Sequence, residues 1–358
     1  MIAASLPFIL LVLGCAAALL VGATGLGWPA DPFIAWHLRL PRLLLALSAG
    51  GGLAACGLLL QVLLRNPLAS PYTLGVGSGA ALGAAAVMIL APQLFIPGVL
   101  AGAMTLIAIV FLARLTWAID RRAAIALLVT GLAAATHLVF DGPQAALGAG
   151  AWVGALAATG LVLTLRRRAG LSAESLVLSG IAIALCASAG VLLLHYLADR
   201  ATSTAMLRWT MGGLASVGLR HGLLALAPSA IGLAWLVWLL PQLNLMQLGD
   251  DWAQTRGVEI EALKRSILVA VALWTGCIVA LCGPISFVGL IAPHMARRLV
   301  GDDLRRTAPA AILLGAGLLA LCDAAARIVM APAELPVGIL TALLGGPAFL
   351  ALLLWRRR

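Results

Sequence analysis

The chain is a succession of long apolar stretches separated by short charged breaks, and that pattern leaves few folds open. Twelve stretches can be marked: 5–27, 43–64, 74–95, 98–118, 123–140, 150–165, 175–197, 222–241, 266–282, 288–299, 308–329 and 337–354. A helix that crosses a bilayer needs about 20 largely apolar residues, and most of these segments supply them. Those at 150–165 and 288–299 are short and suit half-spans or re-entrant pieces. Only 10% of the 358 residues are charged, and the mean hydropathy is +1.10. A soluble domain would carry about 25% charged residues. Lipid as solvent accounts for the missing charge. The apolar stretches are continuous rather than alternating, which excludes a β-barrel. The predicted fold is an all-α polytopic transmembrane bundle, a single domain over residues 1–358.

The formal net charge of +10 would suggest nucleic acid in a soluble protein. Here the arginines sit in short clusters between apolar stretches, so they report topology instead. With the N-terminus in the cytoplasm, 17 of the 23 basic residues fall inside and six outside, Arg39, Arg42, Arg200, Arg208, Arg220 and Arg327. The positive-inside rule favours this arrangement, with both termini cytoplasmic. Arg200, Arg208 and Arg220 suit interfacial snorkelling, which leaves Arg39, Arg42 and Arg327 against the trend. Residues 1–27 lack a basic leader and a clear cleavage site, so they are expected to form the first span.

The six cysteines all lie in apolar stretches without metal-ligand spacing, and are expected to be small core residues. His294 has no further ligands near it in sequence, and no cofactor or metal is predicted. Glycines cluster at 50–52, 75–79 and 345–346, where they allow helices to approach closely in lipid. The run at 75–79 is not a nucleotide loop, because no G-x-x-x-x-G-K-[ST] occurs anywhere and the only lysine is Lys264. ATP hydrolysis would need another chain.

Residues 242–265 form the longest polar cytoplasmic stretch. Asp250 and Asp251 suit the first turn of a helix and Gly257 its end. A second short helix is expected over 259–265, with Glu261 and Arg265 four apart. Two short helices broken at a glycine make a protruding knob. Asn66-Pro67 breaks the helix before the third span, and such backbone must be buried in protein or line a cavity. Asp323 and Arg327 are also four apart, which fits a structural pair and partner docking alike.

Four segments together resemble the iron-siderophore, haem and cobalamin permease family of type II ABC importers. They are Arg39-Leu-Pro-Arg42; Asn66-Pro67-Leu-Ala-Ser-Pro71 leading into Leu74-Gly75-Val-Gly-Ser-Gly79; Gly249-Asp-Asp-Trp-Ala253-Gln-Thr-Arg-Gly257 followed by Gly283-Pro-Ile-Ser-Phe287-Val-Gly289-Leu-Ile-Ala-Pro293-His294; and Asp323-Ala-Ala-Ala-Arg327 followed by Pro332-Ala-Glu334-Leu-Pro336-Val-Gly338-Ile-Leu-Thr341-Ala-Leu-Leu-Gly345-Gly346-Pro347. The resemblance covers 39–90 and 150–358. It fails at about 97–149, where this chain adds two stretches to the family's ten spans. An extra hairpin over 98–140 is therefore expected, and an even insertion preserves the orientation downstream.

The resemblance implies a second permease copy, either identical or related, with the pathway along their two-fold axis. It also implies two cytoplasmic ATPase subunits and an extracytoplasmic binding protein. By position it assigns Gly249, Asp250, Asp251, Ala253 and Gly257 to ATPase coupling. Arg39, Arg42 and Arg327 match outer-face arginines that pair with acids of the binding protein. Asn66, Pro67, Ala173 and Glu174 fall along the pathway and its cytoplasmic gate, although Ala173 and Glu174 replace the small hydroxyl residues of the family. The expected function is import of a metal chelate, not enzymatic chemistry: no paired carboxylates, HExxH or nucleophile–base set is present. The alternative is an ion-coupled secondary transporter, which usually carries ionisable residues in mid-membrane. Here the acids lie near segment ends and loops.

Overall fold

The computed structural model describes residues 2–22, 25–29, 31–94, 143–169, 173–215 and 219–354. The hairpin expected at 98–140 lies outside them. In chain order the elements are α1 (Ile2–Leu20), the strands β1 (Val21–Gly22) and β2 (Gly25–Leu26), α2 (Leu40–Leu63), α3 (Val76–Leu94), α4 (Pro143–Ala169), α5 (Ala173–Leu197), α6 (Arg200–Thr210), α7 (Leu219–Leu248), α8 (Asp250–Thr255), α9 (Ile260–Cys282), α10 (Val288–Val300), α11 (Leu304–Ile328) and α12 (Val337–Leu354). Five described helical segments are long and apolar enough to cross a membrane: 34–63, 175–197, 225–248, 260–282 and 304–328.

Several boundaries differ from expectation for identifiable reasons. The first helix stops at Leu20, and a two-residue antiparallel ribbon follows, with Val21 opposite Leu26. The second span begins before Leu43. Pro41 has no N–H to close a helical turn, and the chain ahead of it widens into a π turn over Ile34–Arg39, where the Leu40 N–H donates to the Ala35 carbonyl. Helical geometry therefore takes in both Arg39 and Arg42. The short helix expected at 259–265 is the first part of α9, because nothing between Glu261 and Ser266 breaks the helix. The knob therefore contains one separate helix, α8. Helix α6 was not anticipated. Asp199 caps it, its Oδ2 accepting from the backbone N–H groups of Ala201 and Thr202 at 3.1 and 3.4 Å. The hydrogen bonds to Thr202 hold that carboxyl below the usual carboxylate range.

The chain divides into two compact units, each assembled from separated segments. One comprises residues 1–58, 211–229 and 282–358, and contains α1, most of α2, α10, α11 and α12. Its core includes Ala54, Ala292, Ala296, Ala310, Ala311 and Leu314, with Leu10 and Met295 packed against them. Alanines at these positions let α2, α10 and α11 lie close together. Ser48 of α2 bonds within this unit to the Ala225 carbonyl and to Ser229 Oγ, 2.7 Å away, so both buried hydroxyls are satisfied.

The other unit comprises residues 59–210 and 230–281. Its central contact joins α3 to α4 through two matching Gly-x-x-x-Gly pairs, Gly79/Gly83 and Gly150/Gly154. A Cβ on Gly83 would lie 1.9 Å from the Gly150 carbonyl oxygen, and one on Gly154 would lie 2.0 Å from that of Gly79. Only hydrogen fits at these positions. With no hydrophobic effect between helices in lipid, such close backbone approach supplies the packing energy. Trp152 of α4 is fully buried and donates its indole N–H to the Leu273 carbonyl of α9 at 3.2 Å.

Candidate docking and coupling sites

The first unit concentrates charge where α1 ends, α2 begins and α11 ends. Asp323, 1% exposed, sits in the last part of α11. Arg327 lies four residues on, 3% exposed, and its Nη2 donates to Asp323 Oδ2. The i, i+4 pair expected from sequence therefore forms. Arg42 adds a second cation: its Nε and Nη2 donate to the other carboxylate oxygen at 3.2 and 2.9 Å. One buried carboxylate thus serves two guanidinium groups. The remaining edge of Arg42 donates from Nη1 to Glu334 Oε2 at 2.8 Å.

The arginines also reach backbone. Arg327 Nη1 donates to the carbonyls of Ala18 at 2.8 Å and Val21 at 3.2 Å. Arg39 Nη1 donates to those of Leu19 and Gly27, the latter at 2.9 Å. The last carbonyls of a helix have no intrahelical donor, and cations near a helix C-terminus also complement its dipole. Arg39 and Arg327 therefore close the end of α1 from outside the helix. Arg39 is 7% exposed and, like Arg327, turned into the protein. Of the three arginines singled out in sequence, all converge on this region. Arg42 has the most open side chain, at 12%. Glu334 stands in the segment after Arg327 that carries the family resemblance, but the sequence assigns it no role.

The second unit holds the knob. Helix α8 begins at Asp250 and ends in a Schellman motif: the Val258 N–H donates to the Ala253 carbonyl at 3.0 Å, and the Gly257 N–H to that of Gln254 at 2.9 Å. Gly257 has φ +81°, the left-handed conformation expected of a glycine that ends a helix. Ala253 is fully buried and anchors the helix, while Asp251, Trp252, Gln254, Thr255 and Arg256 face outward. Asp250 does not. It accepts from Arg65 Nη2 and Lys264 Nζ, both at 2.6 Å, and so ties α8 to the residues that follow α2 and open α9. Gly249 precedes the helix with φ +142° and an extended ψ.

Asn66 and Pro67 are half-buried. The Asn66 side-chain oxygen accepts from the Leu68 N–H at 2.9 Å, and Ser70 and Thr73 bond one another just beyond. These bonds satisfy the non-helical backbone locally. Ala173 opens α5, followed by Glu174. His294 lies in α10, and among the described residues no group of His, Cys, Asp and Glu could hold a metal ion.

Among the described residues the charges lie toward helix ends, in α8 and in the connecting loops, and five helical segments are long and apolar enough to cross a membrane. The chain belongs to the FecCD transport family, which it matches over residues 10–139 and 123–355. It is 37% identical to the hemin transport system permease protein of Yersinia pestis, over 90% of this chain and 84% of that one. It is 34% identical to the Fe(3+)-citrate import system permease protein of Bacillus subtilis, over 91% and 83%. It is 35% identical to the vitamin B12 import system permease protein of Yersinia enterocolitica, over 91% and 85%. Among solved structures it resembles an inward-facing ABC transporter assigned to the metal-chelate type, with a TM-score of 0.76 and 28% identity, covering 97% of both chains.

Proposed function

We propose that this chain forms the translocation pathway of an ATP-driven importer for a metal chelate, a ferric siderophore, haem or cobalamin. The carrying observation is that relatives named for hemin, Fe(3+)-citrate and vitamin B12 each align with nine-tenths of the chain at 34–37% identity. Their three cargoes differ in shape and share only a chelated metal, so the class transfers further than any single cargo.

In this reading the charge cluster of the first unit faces outward and Arg42 receives an acidic binding protein, with Arg39 and Arg327 behind it. The α8 knob, with Asp251, Trp252 and Arg256 outward, meets an ATPase subunit. A second copy of the permease would cover part of the apolar surface of α5, where Leu178, Leu185, Leu192 and Tyr196 are exposed. Asn66, Pro67, Ala173 and Glu174 are assigned to the pathway and gate by their position in the family motifs. The ion-coupled alternative draws no support from Asp323, the buried acid of α11, whose two oxygens accept from Arg42 and Arg327 near the helix end.

The test is uptake into proteoliposomes containing the permease with its ATPase, and the binding protein outside. Labelled Fe(3+)-citrate, hemin and cobalamin are offered in turn. At least one should accumulate, and only with ATP on the ATPase side. Accumulation driven by a proton gradient without ATP would replace the reading with a secondary transporter.

A further inference from the structure

The five charges of the first cluster are Arg39, Arg42, Arg327, Asp323 and Glu334. The two acids are not equivalent. Asp323 is buried on a helix and uses both oxygens, one for each arginine. Glu334 is 36% exposed and accepts a single hydrogen bond, from Arg42 Nη1. It stands in the non-helical segment between α11 and α12, whose neighbouring turn exposes Ile328, Val329 and Met330 at 49, 59 and 57%. That turn is held by Ala331 N–H to the Ile328 carbonyl and Ala333 N–H to that of Met330, and the Leu335 N–H returns to α11 at the Ala326 carbonyl. The Glu334 carboxylate thus occupies the one guanidinium edge of Arg42 that Asp323 leaves open. It does so from an exposed segment bordered by apolar side chains.

We propose that Glu334 is an internal stand-in for the carboxylate of the incoming partner, and that docking exchanges one for the other on Arg42. This rests on the reading that Arg42 receives an acidic binding protein. The exchange conserves the number of ion pairs, so the Arg42 edge is neutralised both before and after docking. The exposed pair is weak and the buried Asp323 pair is not. Only the Glu334 bond is therefore easily given up, and Arg42 stays in place on Asp323 while its outer edge changes partner. Ile328, Val329 and Met330 would contribute apolar contact beside the exchanged pair.

The probe is fluorescein-labelled hexaglutamate, titrated onto the permease in nanodiscs of zwitterionic lipid at low salt. Comparison is made among the parent, E334Q and R42K. E334Q keeps the shape of Glu334 and is partly exposed, so folding is preserved. It should bind the peptide about two- to five-fold more tightly, the range that release of an exposed ion pair supplies. It should also show a steeper salt dependence. R42K keeps a cation beside Asp323 but loses the forked geometry, and it should bind no better than a neutral control peptide. Arg42-dependent binding that is equal in parent and E334Q would overturn the exchange while leaving the docking role of Arg42 standing. Absence of Arg42-dependent binding in E334Q would overturn both, because that variant presents the freed edge.

Discussion

Arg327 shows how a residue can satisfy a family motif and still be committed internally. It is 3% exposed, its guanidinium bonded to Asp323 and to two carbonyls at the end of α1. Its removal leaves Asp323 paired with Arg42 alone and takes a donor from the second carboxylate oxygen and from the Ala18 and Val21 carbonyls, and a buried polar group left unsatisfied costs about 1–3 kcal/mol. Arg327→Ala should therefore lower the thermal unfolding temperature of the detergent-solubilised permease markedly. Arg39→Ala, which leaves both ion pairs of Asp323 in place, should cost less. An unfolding temperature for Arg327→Ala equal to that of the parent would show that the pair carries no structural weight. Reversing all three arginines would confound unfolding with loss of docking, so docking is better tested at Arg42 and Glu334. From sequence, Asp323 and Arg327 could be paired by spacing alone. The addition of Arg42 could not be foreseen, because it lies 281 positions from Asp323 and meets it only through the packing of α2 on α11.

At the scale of elements, long apolar helices were legible and their ends less so. The span at 337–354 and the end of α5 at Leu197 follow the hydropathy closely. The π turn before α2 and the ribbon after α1 depend on how Pro41 and a few glycines resolve their hydrogen bonding, which periodicity does not report. Of the Gly-x-x-x-Gly pairs, only Gly79 belongs to a glycine run marked from sequence, and the approach of Gly79/Gly83 to Gly150/Gly154 depends on tertiary packing that the sequence does not report. Gly83→Ile should separate α3 from α4, since even a Cβ would overlap the Gly150 carbonyl. The expected outcome is loss of folded, monodisperse protein on size exclusion, and full recovery of folded material would contradict the packing. The end of α8 was predicted and is present. A β-branched side chain at Gly257 would have to hold φ +81°, at about 1–2 kcal/mol. Gly257→Val should thus loosen the knob and reduce ATPase co-purification, with the permease still inserted. Unchanged co-purification and transport would remove the knob from the docking surface.

For the whole molecule, the remaining question is which face of the membrane each charged site meets. Arg42 stands near the start of α2 and Arg65 just past its end, with 24 helical residues spanning about 36 Å at 1.5 Å each. That is enough to cross a hydrocarbon core of about 30 Å. If α2 crosses the bilayer, the residues at its two ends, Arg42 and Arg65, meet opposite aqueous phases. By the positive-inside rule, the excess of arginine in the loops expected to share a side with Arg65 predicts a cytoplasmic knob. This can be tested by chemistry that depends on neither partner nor cargo. In a variant whose six native cysteines are replaced, one new cysteine is placed at exposed Asp251 or at exposed Met330. A membrane-impermeant maleimide added to right-side-out vesicles should modify Met330→Cys and spare Asp251→Cys, and inverted vesicles should reverse the pattern. Labelling of both from one side would mean that α2 does not cross the bilayer, and would separate the two sites from the roles proposed for them. The opposite pattern, with Asp251→Cys modified from outside, would keep the fold but turn the transporter over, leaving the knob where no ATPase could reach it.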